Sequence, residues 1–213
     1  MKIMLNYVSI ISSAALPSSL ESHVIVDSPT VVIWLRQPDN DVGESQYVAI
    51  GRGIQNYTCA TASSVPVALG AVATLFDATS LAYSNEAMLH TIPALIVYIP
   101  LSTGVLVTAI AKFDVLGHHY FDSSGTPTFD LTAVNKIGFM AKTFAVAAPT
   151  TANKGPAGTG AVPWLYLINK AGYTSVGISQ VYRVETAGGN QQVNCTVAGV
   201  MSIQYAAEYW FYL

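Results

Sequence analysis

Charge is scarce in this chain. Only 10% of its 213 residues are Asp, Glu, Lys or Arg, 12 acidic against 9 basic, and no basic run occurs. Binding nucleic acid requires clustered Lys and Arg that displace counterions from phosphates, so that class is excluded. Cysteine is scarcer still. Cys59 and Cys195 lie far apart with no Cys or His at metal-ligand spacing, which excludes a zinc ribbon or finger. No Gly-x-Ser-x-Gly elbow is present to carry a nucleophilic serine. A dinucleotide fold needs a glycine turn that delivers the pyrophosphate to a helix amino terminus. The nearest candidate, Gly51-Arg52-Gly53, has Asn56 where the third glycine belongs, and residues 55–59 read as strand or turn. Gly155, Gly158 and Gly160 have the wrong spacing, and no βαβ alternation appears. No cofactor is expected.

What the chain does have is apolar residues, at 52%, with many Thr, Ser, Gly, Tyr and Val. That mixture fits a β-rich extracellular protein, and the length suits one domain with an ample core. At the amino terminus Lys2 precedes a mostly apolar stretch, 4–16, ending near the small residues Ser13, Ala14 and Ala15. This is the layout of a secretory signal peptide over 1–15, leaving a single β-rich domain over 16–213. In an oxidising compartment Cys59 and Cys195 are expected to be bridged. Strand-like runs rich in Val, Ile, Tyr and Thr fall at 24–35, 46–50, 67–76, 139–147, 164–168, 178–186 and 202–212. Turn residues lie between them. One short helix is expected at 80–90, with Leu81, Met88 and Leu89 as its apolar stripe. The fold class is therefore mainly β, an antiparallel β-sandwich or barrel. The uncharged run 92–111 has the length of a membrane helix, but Pro93, Pro100 and Gly104 interrupt it. It reads as buried strand plus loop rather than a span.

Six ordered phrases carry a resemblance: GRGIQNYTC (51–59), ALGAVATLFDAT (68–79), LGHHYFDSSGTPTFDL (116–131), GAVPWLYL (160–167), QVYRVETAGG (180–189) and QYAAEYWFY (204–212). Together they resemble a family of secreted fungal proteins known only as a domain of unknown function, whose members often bear the label malate dehydrogenase. The resemblance implies secretion and a β fold, and it brings no catalytic residues. Two cysteines frequent in that family are missing, one of them at Ser80, which leaves Cys59 and Cys195 as the remaining pair. With its dinucleotide parts absent, the chain is expected neither to bind NAD nor to oxidise malate.

Candidate sites are few. His118 and His119, with Asp122 nearby, are the weak candidates for a metal site. Adjacent side chains on a strand point to opposite faces, so one structural and one exposed histidine is the favoured outcome. Glu185 and Glu208 offer a carboxylate pair of the kind used in glycoside hydrolysis, although an outward-facing charge is the ordinary outcome for each. Asn56 and Asn194 head the two N-glycosylation sequons. The aromatics of 205–212 suit a buried final strand, or a platform for sugar rings using Tyr209 and Trp210, with Tyr120 beside the histidines. The expected function is a non-catalytic extracellular protein, wall-associated, adhesive or self-assembling, whose partner is a neutral polysaccharide or another copy of itself. The competing expectation is a secreted enzyme, either a metal-dependent oxidase using the histidines or a carboxylate hydrolase.

Overall fold

The computed structural model of the protein describes residues 24–27, 30–33, 45–101 and 113–213. The leader expected at 1–15 and residues 102–111 of the apolar run lie outside the described residues. Two units are present, Met1–Gln37 and Pro38–Leu213. In the first, β1 (Val24–Asp27) pairs antiparallel with β2 (Thr30–Ile33), so the single strand expected over 24–35 is two short ones.

The second unit is a closed barrel of eight antiparallel strands, which resolves the sandwich-or-barrel alternative. The strands are β3 (Ser45–Cys59), β4 (Val67–Asp77), β5 (Val115–Phe121), β6 (Pro127–Leu131), β7 (Lys136–Val146), β8 (Trp164–Asn169), β9 (Gln180–Gly188) and β10 (Gly199–Tyr212). They follow one another around the wall, and β10 pairs back onto β3 from Gly199 opposite Cys59 to Tyr212 opposite Ser45. Closure leaves no strand edge open in this barrel. The interior is filled by side chains, including Leu75, Phe129, Met140, Tyr205, Tyr209 and Phe211.

Among the described residues, three short helical segments stand between β4 and β5: α1 (Thr79–Ser84), α2 (Glu86–Leu89) and α3 (Ile92–Ile96). The helix expected at 80–90 is thus present, interrupted at Asn85, whose side chain accepts from the Met88 N–H to start α2. The run beginning at Ile92 is corrected from strand to helix. Pro93 sits in the first turn of α3, where its missing N–H would be unpaired in any case.

These segments cover the outside of β3 and β10 over part of their length, so both faces are buried from Val48 to Gly53 and from Tyr205 to Phe211. Tyr205, Ala207, Tyr209 and Phe211 join the interior core, while Ala206, Glu208 and Trp210 are buried on the alternate face. Arg52 fixes the cover. Its side chain is 1% exposed, and its guanidinium donates to five main-chain carbonyls. Three belong to the end of the cover: Ile96 (2.9 Å), Val97 (3.0 Å) and Ile99 (2.7 Å). Two belong to the barrel wall: Gly53 (2.9 Å) and Tyr205 (3.1 Å). Gln204 Oε1 is a further acceptor. Burial pulls the Arg52 pKa down to about 10, which still leaves it charged at neutral pH. The flanking glycines serve the opposite face: a Cβ on Gly51 would meet the Tyr209 ring at 2.4 Å, and one on Gly53 the Val72 carbonyl oxygen at 2.0 Å. Gly51-Arg52-Gly53 is therefore a mid-strand packing device.

The expected bridge between Cys59 and Cys195 is present, with Cα atoms 5.8 Å apart and a sequence separation of 136. Around it, Ser63 N–H donates to the Cys195 carbonyl and Cys195 N–H to the Ser64 carbonyl, both at 2.8 Å. The β3–β4 turn is thereby tied to the connection between β9 and β10.

Two stability predictions follow from this arrangement. Arg52→Met strands the carbonyls that end α3 and is expected to cost about 3–5 kcal/mol in urea unfolding. A change below about 1 kcal/mol would show that water replaces the guanidinium. Cys59→Ala with Cys195→Ala is expected to cost about 5 kcal/mol in the chain-entropy description of so long a loop. An unchanged unfolding midpoint would show that strand pairing alone restrains the ends.

Candidate functional site

Outside the barrel wall, four titratable side chains converge where α2 meets β9 and β10. Glu208 projects from β10 under the cover and is fully buried. Its Oε1 lies 2.8 Å from His90 Nδ1, and its Oε2 accepts from Trp210 Nε1 at 3.0 Å. His90 caps the end of α2, with Nε2 3.7 Å from Glu86 Oε1. Burial alone would lower the His90 pKa, but the hydrogen bond and charge of Glu208, helped by Glu185 and Glu86, raise it overall. Burial also raises Glu86.

Glu185 is placed by a bulge. Along β9 and β10 the register runs from Glu208 opposite Val184 to Ala206 opposite Ala187, so Glu185 and Thr186 together face Ala207. Such a bulge re-aims a side chain. Glu185 takes the left-handed conformation, φ 46°, which a side-chain-bearing residue rarely adopts. Burial, and after it the charge of Glu208, push its carboxyl up to about 7. No hydrogen bond or ion pair engages it among the described residues.

Glu185 and His90 line a cleft of about 190 Å³ between the cover and the 147–163 loop, with Thr151, Asn153, Trp164 and Thr186. Asn153 stitches the loop down. Its Oδ1 accepts from Tyr98 Oη and Gly155 N–H, both at 2.9 Å, and its Nδ2 donates to the Ala94 carbonyl at 3.3 Å. Thr186 donates to the Val162 carbonyl at 2.6 Å. Trp164 is 9% exposed, and its indole N–H has no acceptor.

The residues singled out in the sequence fall elsewhere. His118 is exposed on β5, whereas His119 points into the barrel and is buried. His119 stacks on Phe129 with centroids 4.2 Å apart, and its Nδ1 lies 2.9 Å from the Thr128 carbonyl oxygen. Burial lowers its pKa to about 4, so it is neutral in the folded protein. Asp122 is spent on a turn, accepting from the Ser124 and Thr126 N–H groups at 2.8 Å. His118, His119 and Asp122 therefore converge on no common point, and the strand geometry separates the histidines as expected. Tyr209 and Trp210 are corrected: at 1% and 6% exposed they offer no face to a sugar. Tyr120 is half-buried on β5. The outward-facing carboxylates are corrected as well, since Glu208 is enclosed and Glu185 only partly exposed. The carboxylate cluster was visible in the sequence as separate letters, but nothing there signals that α2 folds His90 onto Glu208.

Asn56 is half-buried on the outer side of β3, where its Oδ1 accepts from Ser202 Oγ at 2.7 Å, and Asn194 is exposed. Around them lies a face that no other described residues cover. Val67, Thr58 and Val200 stand in one row across β4, β3 and β10, and Val72, Ile54 and Gln204 in another. Val67 and Val72 are exposed, as are Val65 and Leu69, while Val200, Val197 and Val193 are 71%, 69% and 86% exposed. The segments that build this face, 53–76 and 186–207, contain no charged residue.

Stability is expected to depend on pH through Glu185. A carboxyl raised in the folded state from 4.5 to about 7 contributes fully below 4.5, and that contribution is lost as pH rises through 7. Glu185→Gln removes this loss. The variant should melt above the wild type at about pH 8, with the gap closing toward acid pH. Parallel melting curves from acid to alkaline pH would contradict the placement of Glu185.

No curated protein and no solved structure matches the chain. Residues 40–213, which include all eight strands of the barrel, match the family described as protein of unknown function (DUF3455). The eight-stranded barrel, its helical cover and the cleft between cover and loop all lie within that match, and the chain belongs to the DUF3455 family.

Proposed function

We propose that the protein is a non-catalytic extracellular component that assembles with further copies of itself through the uncharged face at the disulfide-bonded end of the barrel. The observation that carries this reading is the exposed valine-rich surface, Val65, Val67, Val72, Val193, Val197 and Val200, built from segments without a charge. Soluble proteins seldom leave large contiguous apolar patches to water, and such patches mark association sites. A face with no charge brings no like-charge repulsion to its own copy. A second copy suits it better than a neutral polysaccharide, because sugar recognition draws on aromatic rings and the exposed large side chains here are aliphatic.

The disulfide supports an oxidising, extracellular setting, in keeping with a cleaved leader at 1–15 and the secreted fungal proteins the chain resembles. Against the enzyme readings stands the state of the candidate groups. Both Glu208 oxygens are engaged, by His90 and Trp210, so Glu185 has no accessible carboxylate partner of the glycosidase kind. The malate dehydrogenase label of the resembling family finds no support in a glycine pair placed inside a barrel strand.

Sedimentation across a concentration series tests the proposal. The wild type should associate with concentration, and added salt should leave the association intact or strengthen it, as apolar contact does. Val67→Glu with Val200→Glu should remove it while the fold, checked by circular dichroism, is retained. A wild type that stays monomeric at every concentration reached, or an association that moderate salt dissolves, would overturn the proposal.

A further inference from the structure

The cleft between the helical cover and the 147–163 loop is lined by none of the exposed valines of the uncharged face, and its chemistry points to a different occupant. Its polar wall is mostly spent: Asn153 holds the loop to the cover, and Thr186 bonds the Val162 carbonyl. Beside the exposed Thr151 hydroxyl, two groups are left over. One is the Trp164 indole N–H, a donor without an acceptor on a side chain more than nine-tenths buried. The other is the Glu185 carboxyl, turned to this side by the bulge and bonded to nothing. A buried donor left unpaired costs on the order of 1–3 kcal/mol, so an occupant that supplies an acceptor is favoured.

We propose that this cleft binds a single neutral polyhydroxylated unit, a sugar ring or its equivalent, held by hydroxyl groups between the Trp164 indole N–H and the Glu185 carboxyl. Other ligand classes fit worse. An anion supplies an acceptor, but with His90 as the one cationic group of the lining it meets Glu185 in the wall and Glu86 and Glu208 behind it. An ammonium group satisfies Glu185 and leaves the indole N–H unpaired, because it has donors and no acceptor. A purely apolar molecule strands both groups. A hydroxyl is donor and acceptor at once, and neighbouring hydroxyls on a ring serve both walls. The remaining lining, Ala94, Pro149, Ala152 and Ala187, is small and apolar and suits the C–H face of such a ring. The volume of about 190 Å³ lies below the range typical of drug-sized ligands, which limits the occupant to one ring.

The probes are glucose, N-acetylglucosamine, methylamine and acetate, titrated into the full chain by calorimetry and by saturation-transfer NMR. One of the two sugars should saturate, while methylamine and acetate should not. Trp164→Phe keeps a ring and removes the N–H, and should weaken that sugar about 3–10-fold, the worth of one hydrogen bond. Glu185→Gln keeps a donor and an acceptor and should retain binding, whereas Glu185→Val should weaken it. Ala152→Trp enters the cleft from the loop and should abolish binding even if Trp164→Phe perturbs packing. Absence of saturable binding by either sugar overturns the proposal, as does sugar binding indifferent to both Trp164→Phe and Ala152→Trp. Methylamine binding that Glu185→Gln abolishes overturns it in favour of a cation site. The valine variants of the uncharged face leave this cleft untouched, so self-association and sugar binding fail independently.

Discussion

The buried guanidinium of Arg52 is the interaction on which the rest of the architecture turns. A charge taken out of water is tolerated only where its donors are fully met, and here carbonyl oxygens do this without a carboxylate. Two of these carbonyls, on Ile96 and Val97, stand at the end of α3, where a helix leaves its last carbonyls without partners from within it. Arg52 thus solves two problems with one side chain: it satisfies the last turn after α3 and fastens the cover to β3 and β10. Isolated helices as short as α1, α2 and α3 do not hold in water, so their persistence here depends on tertiary anchors. Glu208 with His90 is the second anchor, and Asn153 with Ala94 and Tyr98 the third.

Covering β10 on its outer face decides where its aromatics go. Tyr205, Tyr209 and Phe211 fill the barrel, Trp210 lies beneath the cover, and the Tyr205 and Tyr209 hydroxyls meet each other at 3.0 Å inside. A strand so placed has no side facing water over most of its length. Its aromatic density is then explained by packing, and recognition is left to surfaces the strand does not form.

Most of the wall was legible from period-two patterning because half-buried strands repeat apolar residues on one side. β5 and β6 were not legible. Gly117, His118, His119, Pro127 and Asp130 break the apolar alternation there, yet each has a place in the barrel. A Cβ on Gly117 would meet the Asp130 carbonyl oxygen at 1.9 Å, so glycine permits the close approach of β6. His119 acts as an interior aromatic once it is held neutral against Phe129. The apolar run from Ile92 misled for a different reason: periodicity in five residues cannot separate a helix from a strand, and its deciding partner, Arg52, lies 44 residues upstream of Ile96. The candidate cleft was the least legible part. Glu185 and Glu208 stand on alternating strands where exposure is the rule, and only the bulge and the cover together reverse it.

The outside of the barrel is therefore divided by chemistry. Where the cover lies, polar and charged groups are buried against carbonyls, carboxylates and an indole, and shape is fixed by hydrogen bonds. Where it ends, beyond Arg52 on β3 and Ala206 on β10, the wall passes to Ile54, Thr58, Val67, Val72 and Val200 with nothing of the described chain over it. The disulfide sits at this bare end, the place where no cover helps to restrain the turns. A covalent tie there substitutes for the packing that the cover provides at the other end. It lets the wall remain bare without fraying, and a bare, rigid, uncharged sheet face is the form a surface takes when its covering is to come from another molecule.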